Sequence, residues 1–411
     1  MQLPLFDQTA RFSCGSCTAC CNQPWRTMIE ADKALALDQH DWSAYPQLRG
    51  RQLYRNPADG RPGFYDLAKG DGNRCVFLDT DGLCIIHKEL GPEAKPAMCR
   101  QFPFLPSRTW TDDRVSLNFG CPSVQQRRGQ TLIEQQEDIR AVTPTSNRPH
   151  KGSSVRVPLD LTTTVSHEMY DVFIERACDV FDEAGESDIW SCFEILLDEL
   201  ELMRNVPGAR RATGDSANSE VPVATEPLSV RMLFAATLFP DTLPAGRTGQ
   251  MGFLGRLTLM PRLMALARRS GGYASRILGR NISIDAVMAH SVESDLDPES
   301  SQLLRRYYRS RLWQRWIVGT RLPIIGGLHQ HICDLNAILF LARAEARHAG
   351  ESRLSTDHLR WALTGVEFHL ANQSRLYEQV LKGWLKGRLC DVSLARRSLR
   401  IFAPAVTSAP Q

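Results

Sequence analysis

The sequence predicts a mainly α-helical protein in which an irregular, metal-organised cysteine module precedes an α-helical domain. Two patterns predict it. Cysteine crowds the first third of the chain, and apolar residues recur at three- and four-residue spacing through most of the remainder. Composition agrees: 411 residues, 43% hydrophobic and 23% charged, are enough to bury a large core without disulfide staples.

Residues 12–21 read FSCGSCTACC, four cysteines within eight positions. Of the 12 cysteines, Cys14, Cys17, Cys20, Cys21, Cys75, Cys84, Cys99 and Cys121 lie within the first 121 residues, and only Cys178, Cys192, Cys333 and Cys390 follow. The opening MQLPLFDQTARF lacks a basic stretch ahead of an apolar run, so no secretory signal is expected and the expected location is cytoplasmic. In a reducing compartment, dense cysteine reads as metal binding or redox chemistry rather than a disulfide framework. The adjacent pair Cys20-Cys21 is also a poor disulfide. A net charge of +3 gives no electrostatic reason to expect nucleic acid. The apolar stretch around 322–341 is interrupted by Gly, His, Asp and Asn, so no membrane span is expected.

Written out, the module is Cys14-x2-Cys17-x2-Cys20-Cys21, then Cys75-x8-Cys84-x2-His87, then Cys99 and Cys121-Pro122. Two residues between cysteines let one tight turn aim both thiolates at a single ion or cluster, with backbone N–H groups free to bond the sulfurs. Three ligands from the opening loop need a fourth, and Cys75, Cys84, Cys99 and Cys121 are the candidates. Eight thiols exceed the four that one zinc ion or one cubane cluster needs. The surplus leaves three readings: two sites, thiols beside the metal, or ligand exchange with substrate. All-thiolate ligation serves zinc and iron–sulfur alike. The opening run matches the start of a bacterial ferredoxin cluster run, with Cys121-Pro122 as a distant fourth member, so an iron–sulfur cluster leads and zinc is the alternative. His87 has ligand spacing from Cys84; its other reading is a hydrogen-bonding side chain beside the site.

Residues 1–130 form the predicted module, 131–160 a polar connection and 161–411 the helical domain, with a surface linker near 206–227. Inside the module, the spacing of Met28, Ala31, Ala34 and Leu35 predicts a helix over 27–41. Two helices are expected between Leu161 and Arg204, broken near Gly185, with Val172, Phe173, Ala177, Val180 and Phe181 on the first apolar face. Further helices are expected over Ser301–Val318, Gly327–Ala349, Ser355–Asn372 and Gln373–Leu389, with Ser355 as an N-cap. Cys178 and Cys192 read as core residues, and Cys390 carries no signal.

Outside the module, His329 and Cys333 in GGLHQHICD share a helix face, and with His331 they read as packed or surface residues rather than a metal site. The glycines of Gly249-Gln-Met-Gly252-Phe-Leu-Gly255 have the wrong spacing for a dinucleotide loop. The basic stretch LKGWLKGRLCDVSLARRSLR reads as a solvated helix face or a segment docked on the protein body. No hydrolase signature is present.

CGSCTACC, followed by CVFL, GLCIIHKELGPEAKPAMC and RQFPF, resembles the YkgJ-type CxxCxxCC family of zinc- or iron-chelating proteins. Length and helical character make the chain similar to its long branch, the flagellin lysine-N-methylases. The resemblance implies that Cys14, Cys17, Cys20, Cys21, Cys75, Cys84, Cys99 and Cys121 hold a [4Fe–4S] cluster. It also implies S-adenosylmethionine as methyl donor and lysine side chains of a flagellin-like protein as acceptor. Two other readings stay open: a non-catalytic zinc or iron chelator, and a structural metal module supporting a partner-binding helical domain.

Overall fold

Short elements fill the first third of the chain, where glycine, proline and cysteine leave few runs long enough for a helix. The computed structural model describes residues 4–23, 25–57, 60–143, 155–183, 188–206, 210–211, 228–242, 259–269, 272–289, 296–315, 322–370 and 384–403. The protein is mainly α-helical with several small sheets. It divides into two units: Met1–Pro106 with Asp113–Arg148, and Ser107–Asp112 with Pro149–Gln411.

In the first unit, strands β1 (Leu5–Phe6), β2 (Arg11–Phe12) and β3 (Met28–Glu30) precede helix α1 (Ala31–Gln39). They are followed by β4 (Tyr54–Arg55), β5 (Phe64–Leu67), α2 (Ile85–Leu90) and α3 (Ala97–Gln101). The unit ends with β6 (Phe104–Arg108), β7 (Asp113–Leu117), α4 (Pro122–Gln125), β8 (Gln130–Thr131) and α5 (Gln136–Val142). The helix expected over 27–41 is therefore shorter. Its first residues are a strand, with Met28, Ile29 and Glu30 opposite Asp66, Tyr65 and Phe64 of β5, in a sheet of order β3-β5-β4. Ile29 is fully buried on that pleat, and α1 buries Ala34 and Leu37 while Leu35 is 56% exposed. A strand's two-residue period chose Ile29, and the three-residue step from Ala34 to Leu37 chose the helix face.

Ile29, Ala34, Leu37, Leu48, Leu67, Val76, Phe77, Ile85 and Ile86 form one apolar cluster, with Cys75 and Cys84 packed at its edge. The order of residues matters here. Val76-Phe77 follow Cys75 directly and Ile85-Ile86 follow Cys84, so burying each apolar pair fixes the cysteine before it. Strand β2 pairs with β8, while β1 lies parallel to β7 in the β1-β7-β6 sheet. Within the stretch read as a connection, Leu132 and Ile139 are fully buried and 136–142 is helical.

The second unit is built on the helix Ile324–Ala349, which packs against Leu228–Leu238, Thr356–His369, Trp384–Leu389 and Val392–Leu399. Its sequence is long and apolar enough to cross a bilayer, but 94% of its apolar window is buried, as in a core helix. The pair expected between 161 and 204 forms as α6 (His167–Glu183) and α7 (Ile189–Met203). Val172 departs from its expected face at 65% exposure, while Phe173, Ala177, Val180 and Phe181 are buried. Cys178 and Cys192 are buried in this core, as their apolar neighbours predict. Ser355 caps Thr356–His369 through a reciprocal pair, its side chain accepting from the His358 N–H and its own N–H bonding His358 Nδ1.

Glycines 249–255, most of 206–227 and residues 373–383 of the expected Gln373–Leu389 helix lie outside the described residues. The helix Val392–Leu399 lies in the basic stretch read as a solvated helix face or a docked segment, and it docks on α7: Arg396 pairs with Glu194, Asp198 and Glu201. Its acidic partners are therefore internal.

A buried ion pair, Arg311 with Glu367, joins the helices Pro298–Trp313 and Thr356–His369, and Tyr307 donates its hydroxyl to the same carboxylate at 2.8 Å. Truncating one partner strands the other charge in the core. Glu367→Ala is expected to cost about 3–5 kcal/mol in urea unfolding, and Arg311→Met with Glu367→Leu together should recover most of that loss.

Candidate metal centre

Backbone hydrogen bonds, rather than long helices, bring the cysteines of the first unit together. The Cys75 N–H donates to the Cys21 carbonyl at 2.9 Å, tying the opening loop to the 75–84 segment. That segment is braced by Leu78 N–H to Cys75 O at 3.0 Å, by Ile85 N–H to Phe77 O at 2.8 Å and by the bridge between Leu78 and Cys84. Cys20 and Cys21 sit on the 3₁₀ turn Ala19–Asn22, where the Cys21 N–H reaches Thr18 O at 2.9 Å. Asn22 Nδ2 also bonds Thr18 Oγ1 at 3.1 Å, holding Thr18 in the left-handed region at φ 61°.

Cys99 comes from α3. The Glu30 carboxylate accepts the Ala97 N–H at 3.1 Å at the start of that helix, and Lys33 Nζ donates to Lys95 O at 3.0 Å just before it. Cys14 and Cys17 lie on the exposed part of the opening loop. There the Gly15 N–H donates to Ser123 Oγ at 3.2 Å, two residues beyond the buried Cys121.

The twelve cysteines are all free thiols. Cys20 Sγ and Cys21 Sγ are 3.9 Å apart, and that contact, followed by burial, pushes the Cys21 thiol far above its ordinary range. Burial pushes Cys75 up to about 11 and Cys99 up to about 12, with Cys21 and Cys84 charge adding to both. Burial raises Cys84 as well, opposed by the His87 and Ile86 N–H groups aimed at its sulfur. The ammonium groups of Lys69 and Lys95 counter these effects: both act on Cys21, Lys69 on Cys75, and Lys95 on Cys84 and Cys99. Cys121 is raised by burial and by Cys17 and Cys14, against the Val124 and Ser123 N–H groups.

The eight predicted cysteines therefore occupy two neighbourhoods, one of Cys20, Cys21, Cys75, Cys84 and Cys99, the other of Cys14, Cys17 and Cys121. Crowded, half-desolvated thiols with N–H groups aimed at sulfur suit a divalent metal or a cluster, because the cation removes the repulsion that keeps the protons on. Among the described residues, no three Cys, His, Asp or Glu side chains form a ready-made ion cage. Coordination thus entails rearrangement from the positions described. His87 is exposed on α2 and reaches Cys84 through its backbone N–H.

Outside the module, Leu389 O lies 3.1 Å from His329 Nδ1 and Ser398 Oγ 2.8 Å from Nε2. A carbonyl only accepts, so Nδ1 carries the proton and Nε2 accepts from the serine. Burial lowers His329 to about 4 and His331 to about 3, so both are packed neutral histidines. Sequence reasoning missed Lys69, Lys95, Glu30 and Ser123. Ser123 alone left a trace, directly after Cys121-Pro122 at a helix start.

Thiols whose folded pKa lies above the ordinary 9 favour the folded state below about pH 9, and that contribution is lost as pH rises through 11 to 12. Chelator-treated protein should therefore show a lower urea midpoint at pH 10.5 than at pH 8. Metal uptake at pH 7 should release protons, read as a pH drop in unbuffered solution, with apparent affinity rising with pH.

No curated protein and no solved structure matches this chain at a significant level. One family model does, over residues 13–124, a stretch that contains all eight cysteines of the first unit. Its description is "putative zinc- or iron-chelating domain", and it is to this CxxCxxCC domain that residues 13–124 are similar.

Proposed function

We propose that the first unit binds iron as a thiolate-ligated iron–sulfur cluster in a reducing cytoplasm, with zinc as the other metal its donors accept. The observation that supports this most directly is the set of backbone N–H groups facing sulfur: Phe77 at Cys75, Ile86 and His87 at Cys84, Ser123 and Val124 at Cys121. Such groups stabilise a thiolate more than they stabilise a thiol.

The residues divide the work. The cysteines supply the sulfur ligands. Lys69 and Lys95 offset the negative charge that five neighbouring thiolates carry into a partly buried site. The apolar cluster behind Cys75 and Cys84 limits water on one side of the sulfurs. Bound there, a cluster supplies one-electron chemistry or an iron with an exchangeable position, whereas zinc supplies a redox-silent Lewis acid or a structural tie.

Protein-lysine methylation from S-adenosylmethionine is the activity that the resemblance to the lysine N-methylases supports. The assay for it is transfer of labelled methyl groups to a flagellin-like protein by the cluster-loaded chain.

Anaerobic purification followed by iron, zinc and acid-labile sulfide analysis tests the metal assignment. Matched iron and sulfide with a visible band that bleaches on reduction is the expected result. Zinc without sulfide and a featureless visible spectrum would remove the cluster and, with it, the methyl-transfer reading. Lys69→Glu and Lys95→Glu should each lower metal occupancy several-fold without unfolding the second unit, measured by metal content and circular dichroism.

A further inference from the structure

The opening cysteine run is held at two separate places. Its first half is fastened beside Cys121 by the Gly15 N–H to Ser123 Oγ bond of 3.2 Å. Gly129 allows the same segment to pass: a Cβ there would lie 2.0 Å from Ser13 Oγ, and its φ is +88°. The second half is fastened beside Cys75 and Cys84. The Cys75 N–H bonds Cys21 O at 2.9 Å, and a Cβ on Gly82 would come within 3.2 Å of Thr18 Cγ2. Between the two halves, Ser16 and Thr18 stand in the left-handed region at φ 49° and 61°, which turns the chain from one neighbourhood to the other.

We propose that the eight cysteines build two metal centres of different kind. Cys14, Cys17 and Cys121 hold an exposed centre with three thiolates and an exchangeable fourth position. Cys20, Cys21, Cys75, Cys84 and Cys99 hold a second centre saturated with thiolate. The proposal rests on the metal-binding reading above and deepens it.

Ligand number decides the difference in kind. A tetrahedral zinc and a cubane cluster each take four protein ligands when closed, and a site with three keeps one position for water or an incoming group. The second neighbourhood has a thiol to spare, and Lys69 and Lys95 accompany it. The first has three thiols, of which Cys14 and Cys17 are exposed, so its open position faces solvent. A small anion or the amino and carboxylate groups of an amino acid are the chemical class that such a position takes. The pair Cys20-Cys21, seated on one 3₁₀ turn with sulfurs 3.9 Å apart, gives the closed centre two ligands from adjacent residues.

The test uses the full-length chain loaded with Zn²⁺ alone. Native mass spectrometry should show two zinc ions. During slow chelator extraction, iodoacetamide labelling mapped by peptide mass spectrometry should report Cys14, Cys17 and Cys121 losing protection together and first. Cys75, Cys84 and Cys99 should follow later, with Cys20 and Cys21. Cys121→Ser should keep one zinc and protected Cys75, Cys84 and Cys99. The combined change Cys75→Ser, Cys84→Ser and Cys99→Ser, which leaves the second centre two thiols, should keep one zinc and protected Cys14, Cys17 and Cys121. A single zinc, or one common rate of labelling for all eight cysteines in the unmodified chain, overturns the two-centre assignment. Zinc that protects none of the eight overturns the metal-binding reading itself, a separate result.

Discussion

Thiolates repel one another, and the first unit is arranged around that fact. Five sulfurs are drawn into one partly buried neighbourhood, where the Cys20 contact and burial hold the proton on Cys21, and burial with mutual charge holds the protons on Cys75, Cys84 and Cys99. Bringing them together costs free energy that a bound cation returns, so the surrounding structure has to hold positions that the sulfurs would not choose unaided. Long helices are absent from that task among the described residues. The Cys75 to Cys21 backbone bond, the bridge at Leu78 and Cys84, and the buried Val76-Phe77 and Ile85-Ile86 pairs carry it. Cys75 and Cys84 are each followed at once by the apolar pair that anchors them. At these two positions the spacing of the cysteines and the spacing of core residues are the same feature of the sequence.

The two units differ in how much of them could be read in advance. Helical periodicity located α6, α7, the 324–349 helix and the Ser355 cap, because long amphipathic runs carry their own signal. It failed where the run was short. Met28–Glu30 looked helical on apolar spacing, yet pairing with Phe64–Leu67 made it a strand, and that partner lies more than thirty residues on. For Val392–Leu399 the choice between a solvated face and a docked segment was left open for a related reason: Glu194, Asp198 and Glu201, which receive Arg396, lie about two hundred residues earlier. At the site, candidate sulfur ligands are legible because only a few residue types bind metal. The groups that support them are not, since Lys69, Lys95, Glu30 and Ser123 belong to types found on any protein surface. Their roles come from distances that only the folded chain sets.

Histidine makes the same point from the other side. His329 and Cys333 have ligand spacing on one helix, as Cys84 and His87 have at the start of another. In the second unit, burial leaves His329 neutral and spends both its ring nitrogens on Leu389 and Ser398. A ligand needs a free lone pair, and Nε2 of His329 has given its own to a serine hydroxyl. Spacing puts side chains within reach of each other; hydrogen-bond accounting decides whether they are available.

That accounting bears on why the opening run is as tight as it is. A CxxC pair suffices to aim two sulfurs at one ion, so a run of four cysteines in eight residues is more than one turn needs. The left-handed residues Ser16 and Thr18 interrupt it at the point where a single ligand loop would be smoothest. Strain of that kind persists only where its surroundings enforce it. Here the enforcing contacts are Asn22 on Thr18 and Ser123 on Gly15, one on each side of the turn. Serving one ion would require Cys14 and Cys21 to approach the same point. The contacts instead pull Gly15 toward the 121–123 turn and Cys21 toward Cys75, so the chain turns to spread its sulfurs between two places.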